Sequence, residues 1–301
     1  KKLDKEDLVC VASNPEFLRE GSAINDFLRP DRVVIGTNDQ HSKKLLNKLY
    51  SPLNIRQVPM VNTDTETSEL IKYASNSFLA TKITFINEIA RFCKKTGTNI
   101  NDVSRAMGLD KRIGPKFLHS GPGYGGSCFP KDTLAMSKIF KDKKIRFNIV
   151  DTVIKTNNKI KEDLSKDILK VIRANKVNKI LFLGLSFKPE TDDIRESSSI
   201  FIINYLIKKN KNLIISAHDP VAIPNCKKEK LKVNYYTDLE KSFQKQEMVI
   251  IATEWNIYRS INFENLYKEM NSNIIYDLRN IYSSNKEIPK IGFKYYSITS
   301  K

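Results

Sequence analysis

An apolar run, KILFLGL at Lys179–Leu185, places the strongest constraint on the fold of this chain. A continuous apolar run of this length is expected of a parallel strand that is buried on both faces of a sheet. A helix is predicted next, over Ser198–Lys209, and three further strand signals follow. Those strands are predicted at Leu213–Ala217, Met248–Thr253 and Ile274–Leu278. Strands that alternate with helices predict a doubly wound parallel sheet.

Upstream of this sheet the apolar spacing is mostly helical. Helices are predicted over Thr65–Lys95, Asn101–Met107, Pro130–Phe140 and from Ile149 to about Ala174. The last of these is a long helix of the kind that connects domains or pairs across a two-fold axis. The predicted fold class is therefore α/β, with a central helical domain over 65–174 and a C-terminal parallel-sheet domain over 175–301.

The first 64 residues alternate strand and helix signals. Strands are predicted at Leu8–Ala12 and Arg32–Gly36, a helix at His41–Tyr50, and a single helical turn at Asn14–Gly21. A polar segment of seven residues precedes the first of these strands and offers it no neighbour. We therefore expect that an N-terminal portion of this domain is missing.

Composition limits the classes of partner. The formal net charge is +17, but the lysines are spread along the whole chain without a long basic run or a nucleic-acid motif, so no nucleic-acid partner is predicted. No apolar run reaches transmembrane length, so no membrane partner is predicted either. The four cysteines are scattered and form no CxxC pair, which argues against a zinc site and indicates a reducing cytoplasm.

The segment GPGYGGSCFPKD, from Gly121 to Asp132, holds the best candidate for a reactive group. It places Cys128 between a glycine-rich loop and a helix that Pro130 is suited to begin. A helix N-terminus has unpaired N–H groups and a positive dipole end, which stabilise a thiolate together with Lys131. Asp132 lies four residues after the cysteine, where it can meet the thiol across one turn. The alternative is a flexible glycine turn beside an inert cysteine.

Two pairs of polar residues have the spacing of one helical turn. Lys72 and Asn76 fit an oxyanion-stabilising pair, and Glu16 with Glu20 fits a base and a second carboxylate that holds water or cofactor. Taken alone, a solvated polar face is the preferred explanation of Lys72 and Asn76, and a capped surface turn is the alternative for Glu16 and Glu20.

Several cations fit an anionic ligand. Arg112 lies in a loop, whereas Lys188, Arg195 and Arg279 lie in the C-terminal domain. Each of these cations is either a phosphate contact or an ordinary exposed charge, and the sequence leaves both interpretations open. Ligands of doubly wound sheets bind at the C-terminal ends of strands. This rule places five residues near one rim: Phe187, Lys188, Asp219, Glu254 and Arg279. Gly184 has no GxGxxG fingerprint after it, so a dinucleotide site confined to this sheet is not predicted.

Four motifs in order give a specific resemblance over essentially all 301 residues. They are NPEFLREG, LIKYASNSFLATKITFINE, GPGYGGSCFPKD and GLSFKPETDDIRES. Together they closely resemble the UDP-glucose 6-dehydrogenases of the UDP-glucose/GDP-mannose dehydrogenase family. The resemblance implies that residues 1–64 are the tail of a Rossmann-like NAD-binding domain. It also implies a dimerisation and catalytic-cysteine domain over 65–174 and a UDP-sugar-binding domain over 175–301.

The resemblance also implies a reaction and a set of roles. The family oxidises C6 of UDP-glucose to UDP-glucuronate in two NAD-dependent steps through a cysteine thiohemiacetal and thioester. Cys128 matches the nucleophile, Lys72 and Asn76 the oxyanion pair, Asp132 the neighbouring carboxylate, and Glu16 the carboxylate for thioester hydrolysis. Residues that match sugar-nucleotide contacts are Phe17, Leu18, Arg19, Phe117, Leu118, His119, Ser120, Gly121, Gly125, Lys188 and Arg279, with Arg112 reaching the substrate of a neighbouring subunit. Glu20, Lys131 and Arg195 match NAD contacts.

The family's N-terminal dinucleotide fold, with its glycine fingerprint and an assisting threonine, is absent from the sequence. We therefore expect the chain alone to bind NAD poorly and to show little dehydrogenase activity. A homodimer through the central helices is expected. Two alternatives stay open. One is GDP-mannose 6-dehydrogenase, which shares the cysteine loop, and the other is a non-catalytic nucleotide-sugar-binding or dimerisation fragment. The UDP-N-acetylmannosamine branch fits less well, because it normally lacks FPKD after the cysteine.

Overall fold

The computed structural model describes residues 9–299. The chain forms two compact units, Lys1–Ser77 and Phe78–Lys301. A helix of 32 residues, Thr65–Thr96, contributes its beginning to the first unit and its remainder to the second. Its predicted extent is confirmed. The three domain boundaries inferred from the sequence stay a prediction.

The first unit is a small α/β arrangement. Its elements are α1 (Ala23–Leu28), β1 (Val33–Gly36), α2 (Gln40–Leu49), a 3-10 helix (Ser51–Arg56), β2 (Met60–Thr63) and the start of α3 (Thr65–Thr96). Strands β1 and β2 pair in parallel, with Val33 opposite Met60. All four residues of β1 are buried. The predicted strand at Arg32–Gly36 and the predicted helix at His41–Tyr50 are confirmed.

Two predictions for this unit are wrong. Residues 9–12 form no strand; Val9 and Val11 are exposed, and beside them β1 makes an isolated antiparallel bridge from Gly36 to Ser13. Leu8, where the predicted strand began, lies outside the described residues. No helical turn forms at Asn14–Gly21, because the Asn14 amide donates to the Val34 carbonyl and accepts from the Tyr50 hydroxyl instead of capping a helix.

The second unit holds the central helices and the large sheet. After α3 come α4 (Ile100–Leu109), α5 (Cys128–Asp142), α6 (Asn148–Ala174), β3 (Lys179–Leu183), α7 (Ser198–Lys209), β4 (Ile214–His218), α8 (Ile223–Lys228) and β5 (Asn234–Tyr236). Then follow α9 (Leu239–Ser242), β6 (Met248–Ile251), a 3-10 helix (Asn256–Arg259), α10 (Phe263–Glu269), β7 (Ile274–Asp277), α11 (Glu287–Ile291) and β8 (Lys294–Ser297).

The sheet of this unit is fully parallel, in the order β5-β4-β3-β6-β7-β8. The alternating residues of β3 explain the apolar run that predicted it. Ile180 and Phe182 pack into a core cluster with α6, α7 and α8, whereas Leu181 and Leu183 pack into a second cluster with α9, α10 and α11. Because both faces are covered by helices, every position of the strand after Lys179 is apolar and buried.

The strand order defines where a ligand site lies. Strands β3 and β6 are neighbours, but the chain continues from β3 to β4 on one side of the sheet and from β6 to β7 on the other. The loops that follow β3 and β6 therefore diverge and open a crevice at the C-terminal ends of these two strands. Those loops begin at Gly184 and Ala252. The predicted doubly wound parallel sheet, and with it the α/β fold class, is confirmed.

Candidate active site

Cys128 is the first residue of helix α5. Its side chain is half-buried, and its sulfur lies 3.6 Å from the Ser127 hydroxyl oxygen. The prediction that Pro130 opens this helix is wrong by two residues, because Ser127 already has helical backbone angles. Proline is tolerated throughout a first turn, whose N–H groups have no intrahelical acceptor. The cysteine therefore lies inside the positive end of the helix, rather than in front of it.

Two charged residues follow in the same turn. Asp132 is buried, at 2% exposure. The ammonium of Lys131, which is largely exposed, lies 3.6 Å from the Asp132 carboxylate. Both residues share the first turn and a half of α5 with Cys128, as the sequence predicts.

Buried asparagines on two long helices hold the glycine loop that precedes Cys128. The Asn87 side chain on α3 accepts a hydrogen bond from the Gly121 amide at 2.8 Å. Asn157 on α6 accepts from the Tyr124 amide at 2.9 Å and donates to the Tyr124 carbonyl at 3.1 Å. Sequence reasoning missed both asparagines. Each asparagine could have been found as a polar residue on the apolar stripe of its helix. Asn87 follows Ile86 on α3, and Asn157 lies between Val153 and Ile160 on α6.

The last glycines of this loop touch the segment that follows β3. Gly126 has φ +81°, and a Cβ there would meet the Phe187 ring at 2.6 Å. A Cβ at Gly125 would meet the Glu196 carbonyl oxygen at 2.3 Å. The Gly126 amide also donates to the Arg195 carbonyl at 2.9 Å. The letters Gly121–Gly126 spell GxGxxG, but no strand precedes them, so this loop is not a dinucleotide fingerprint.

Arg279 lies at the C-terminal rim of the sheet, and only 16% of its side chain is exposed. Its Nε donates to the Ala252 carbonyl at 2.9 Å and lies 2.9 Å from a Glu254 carboxylate oxygen. One terminal nitrogen of the guanidinium donates to the Phe187 carbonyl at 3.1 Å. The other terminal nitrogen lies beside Gly121, where it would be 3.3 Å from an added Cβ. The guanidinium therefore joins the loops after β3, β6 and β7 to the glycine loop.

Asp277 shapes the turn that carries this arginine. Its carboxylate accepts from the Arg279 and Tyr282 amides at 2.9 Å each, and from the Tyr295 hydroxyl at 2.8 Å. Burial raises the pKa of Asp277, although these hydrogen bonds oppose the shift. Asn280, which follows Arg279, donates to the Ser120 hydroxyl at 3.1 Å and so ties the turn to the residue before Gly121.

A cleft of about 860 Å³ brings together two of the three residues that the family resemblance assigns to NAD. Lys131 and Arg195 both line it, together with Gly126, Ser127, Glu196 and Glu229. Arg195 is 67% exposed and pairs with Asp193 at 2.9 Å. Burial alone would raise the pKa of Asp193, but the hydrogen bonds from Arg195 hold it below its usual value. Two cations on an open cleft fit the pyrophosphate of a dinucleotide.

The first unit holds the remaining candidates for chemistry. The Lys72 ammonium donates to the Glu16 backbone carbonyl at 2.5 Å and lies 3.1 Å from the Glu16 carboxylate. It also lies 5.3 Å from the centre of the Phe17 ring. Asn76 is buried one turn further along α3. Lys72 and Asn76 therefore lie one turn apart on one helix, as predicted, and their role as an oxyanion pair stays a prediction.

The predicted helical spacing of Glu16 and Glu20 is wrong, because their segment is irregular. The Glu16 carboxylate accepts from the Leu18 amide at 2.6 Å, and Glu20 lies in a turn. Arg19 pairs with Asp26 at 2.6 Å. Glu16 is therefore directed by Lys72 and by its own loop, instead of by a helix.

The candidate sugar-nucleotide contacts over 117–120 differ in exposure. Leu118 and Ser120 are buried, Phe117 is half-buried and packs edge-on against Phe129, and His119 is exposed. Arg112 is 89% exposed and pairs with Asp110 at 2.6 Å. The described contacts tie Arg112 to its own loop, and they bring it to no other candidate in residues 9–299.

Lys188 follows Phe187 at the sheet rim, and its ammonium lies 5.6 Å from the centre of that ring. Across residues 9–299, histidine, cysteine and carboxylate side chains form no group of three placed to hold a metal ion. In the same range, no helix combines the length and apolar character needed to cross a membrane.

Three domain models of one family match the chain in order. They are the NAD binding domain over 1–54, the central domain over 66–159 and the UDP binding domain over 181–284 of the UDP-glucose/GDP-mannose dehydrogenase family. These three domains in this order define a class of nucleotide-sugar dehydrogenases. The chain belongs to the UDP-glucose/GDP-mannose dehydrogenase family, as the four motifs predict.

Curated relatives and solved structures agree. The chain is 47% identical to a UDP-glucose 6-dehydrogenase of Rickettsia typhi, over 97% of this chain and 67% of that protein. It is 45% identical to a UDP-glucose 6-dehydrogenase of Rhizobium meliloti, over 96% and 66%. A UDP-glucose dehydrogenase structure from Pyrobaculum islandicum matches with a TM-score of 0.85 at 34% identity, over 97% of this chain and 64% of that one. The chain thus spans about two thirds of the length of its relatives, and the predicted NAD dependence agrees with the matched family.

Proposed function

We propose that the whole protein containing this chain oxidises C6 of UDP-glucose to UDP-glucuronate in two NAD-dependent steps. One observation carries the proposal: Cys128 opens α5 directly after a glycine loop that contacts the strand rim holding Arg279. A nucleophile and a cation for a diphosphate thus belong to one continuous site of the second unit. The relatives named UDP-glucose 6-dehydrogenase support the choice of substrate.

The chemistry assigned to the cysteine is covalent. The Cys128 thiolate, stabilised by the positive end of α5, attacks the aldehyde carbon formed in the first step. The resulting thiohemiacetal loses a second hydride and becomes a thioester, which water cleaves to release the acid. Lys131 and Arg195 would hold NAD in their cleft, and two NAD molecules bound in turn would each accept one hydride.

The other groups stabilise charge and direct water. Lys72 and Asn76 provide donors for the developing oxyanion, and Asp132 accompanies the thiol on the same helix. Glu16, which Lys72 already contacts, activates the hydrolytic water. This assignment explains why a lysine of low exposure is held against a carboxylate.

The remaining candidate residues are assigned to the nucleotide sugar and the cofactor. Arg279 and Lys188 bind the diphosphate, and the loop over 117–121 with Gly125 encloses the nucleotide. Phe17, Leu18 and Arg19 line the sugar, and Glu20 completes the cofactor site. Arg112 extends to the substrate of a second subunit, which agrees with its exposure.

We propose a homodimer through the central helices. Phe78, Phe85 and Phe92 recur every seven residues on α3 and are 65%, 48% and 63% exposed. Apolar residues at a heptad interval form the seam along which two helices pack. A second copy of the chain is therefore the proposed occupant of this face. A cytoplasmic location, and weak NAD binding by the 301-residue chain alone, remain predictions.

The test uses the whole protein with UDP-glucose and NAD. We expect two NADH for each UDP-glucose consumed, and no net acid from a Cys128→Ser variant. Cys10→Ser, which alters an exposed cysteine, is the control and should retain activity. Full acid formation by Cys128→Ser would refute the covalent role, and preference for GDP-mannose in a substrate panel would refute the substrate.

A further inference from the structure

Lys161 on α6 is a buried charged residue that the reaction above does not use. Its exposure is 2%, although lysine is almost never fully buried without a partner. Burial lowers the pKa of Lys161, and the nearby Glu196 carboxylate opposes this shift. That carboxylate lies 3.9 Å away on a side chain that is 62% exposed, so it compensates the buried charge poorly.

The strongest contact of Lys161 is to backbone. Its ammonium donates to the Glu196 carbonyl oxygen at 3.1 Å. Glu196 has φ +51°, a left-handed conformation that residues with a Cβ rarely adopt. The hydrogen bond therefore fixes the direction of a carbonyl in a backbone conformation that is unfavourable by itself.

The glycine loop packs directly against the Glu196 carbonyl. A Cβ at Gly125 would meet the Glu196 oxygen at 2.3 Å, and the preceding carbonyl, of Arg195, accepts from the Gly126 amide. One residue separates Gly126 from Cys128. A displacement of the Glu196 carbonyl would therefore be passed along the loop to the start of α5.

We propose that Lys161 is a positioning residue that holds the Glu196 carbonyl, and through it the glycine loop, so that Cys128 keeps its reactive placement. The inference rests on the proposed function for the role of Cys128. It explains why a buried ammonium is kept where an apolar side chain of the same length would pack. Replacing a buried charge by an apolar side chain is often neutral or stabilising.

The experiment compares Lys161→Met with Lys159→Met in the whole protein. Lys159 is on the same helix, 60% exposed, and pairs only with Asp163 among its described contacts. Three quantities are measured: the melting temperature, the rate at which iodoacetamide alkylates Cys128 as seen by peptide mass spectrometry, and kcat with UDP-glucose. Lys161→Gln, which keeps an N–H donor on a shorter stem, is measured in parallel.

We expect Lys161→Met to melt at or above the wild-type temperature while its kcat falls at least about tenfold, since a misplacement of about 1 Å can cost about 100-fold. Its Cys128 alkylation rate should change at least about threefold, and Lys159→Met should match the wild type in all three quantities. Lys161→Gln should lie between the two, and it decides the question if Lys161→Met does not fold.

Two results would overturn the proposal. A lower melting temperature with unchanged alkylation and kcat would show a purely structural lysine, and equal behaviour of Lys161→Met and Lys159→Met would show no role. A wild-type protein that does not oxidise UDP-glucose, but whose Cys128 alkylation still depends on Lys161, would refute the proposed function and leave the positioning role intact.

Discussion

Replacing Arg279 by methionine tests the rim of the sheet in two separate ways. The variant loses the hydrogen bonds to the Ala252 and Phe187 carbonyls and the ion pair with Glu254. Hydrogen bonds from a charged group contribute about 1.5–3 kcal/mol each. The side chain is not fully buried and water can replace part of both bonds, so we expect the free energy of unfolding to fall by about 2–4 kcal/mol.

Nucleotide binding should fall separately from stability. If the guanidinium also contacts the diphosphate, one charge-assisted contact of about 1.5–3 kcal/mol is lost, or about 10- to 150-fold in the dissociation constant for UDP. Arg279→Lys keeps the charge without the planar fork, so it should recover part of the affinity and little of the stability.

Urea unfolding and titration calorimetry with UDP measure these two effects on the whole protein. Arg259→Met, at an exposed arginine of the same unit, is the control and should change neither quantity. A stability loss of less than about 0.5 kcal/mol together with unchanged UDP affinity would refute the reasoning, since surface substitutions stay within that range.

Three further perturbations follow from the same contacts. Gly126→Ala should lower the free energy of unfolding by at least about 2 kcal/mol in urea, from about 1–2 kcal/mol of left-handed strain plus the clash with Phe187, and a stable variant would contradict the loop geometry. Burial lowers the pKa of Lys161 in the folded state below its unfolded value. The charged form of Lys161 therefore lowers the free energy of unfolding at a pH below the folded-state pKa, and this loss disappears as pH rises toward about 10.5. Any stability advantage of Lys161→Met over wild type should therefore shrink between neutral and alkaline pH in denaturation series; a constant or growing advantage would oppose this. Phe85→Asp should convert the dimer to a monomer in sedimentation velocity, whereas an unchanged sedimentation coefficient would remove the α3 interface.

The parallel sheet was predictable because its central strands are apolar on both faces. The edge strands β5 and β8 were missed, since they are three and four residues long and carry half-exposed tyrosines instead of an apolar run. The turn at Asn14–Gly21 was mispredicted because the Asn14 side chain satisfies groups of β1 and α2, which are distant in sequence.

Candidate residues could be proposed from the sequence where a residue type carries its chemistry by itself, as with Cys128 and Arg279, whose roles stay predictions. Residues that hold the backbone of a loop through side-chain hydrogen bonds could not be predicted from the sequence. Asn87, Asn157 and Lys161 look like isolated polar residues on helical stripes, and their function depends on loops that lie far away in sequence. Only the folded chain shows that Asn87 and Asn157 bond the glycine loop, and that Lys161 bonds the Glu196 carbonyl beside that loop.

A covalent bond between the nucleotide sugar and Cys128 is the most direct measurement of the central claim. The whole protein, as wild type and as Glu16→Gln, is mixed with UDP-glucose and NAD, quenched in acid, and digested for mass spectrometry. The account predicts a nucleotide-sugar adduct on the peptide that holds Cys128, more abundant in Glu16→Gln because thioester hydrolysis is slowed. Acid formation at full rate with the adduct on another residue, or with no adduct in either protein, would contradict it.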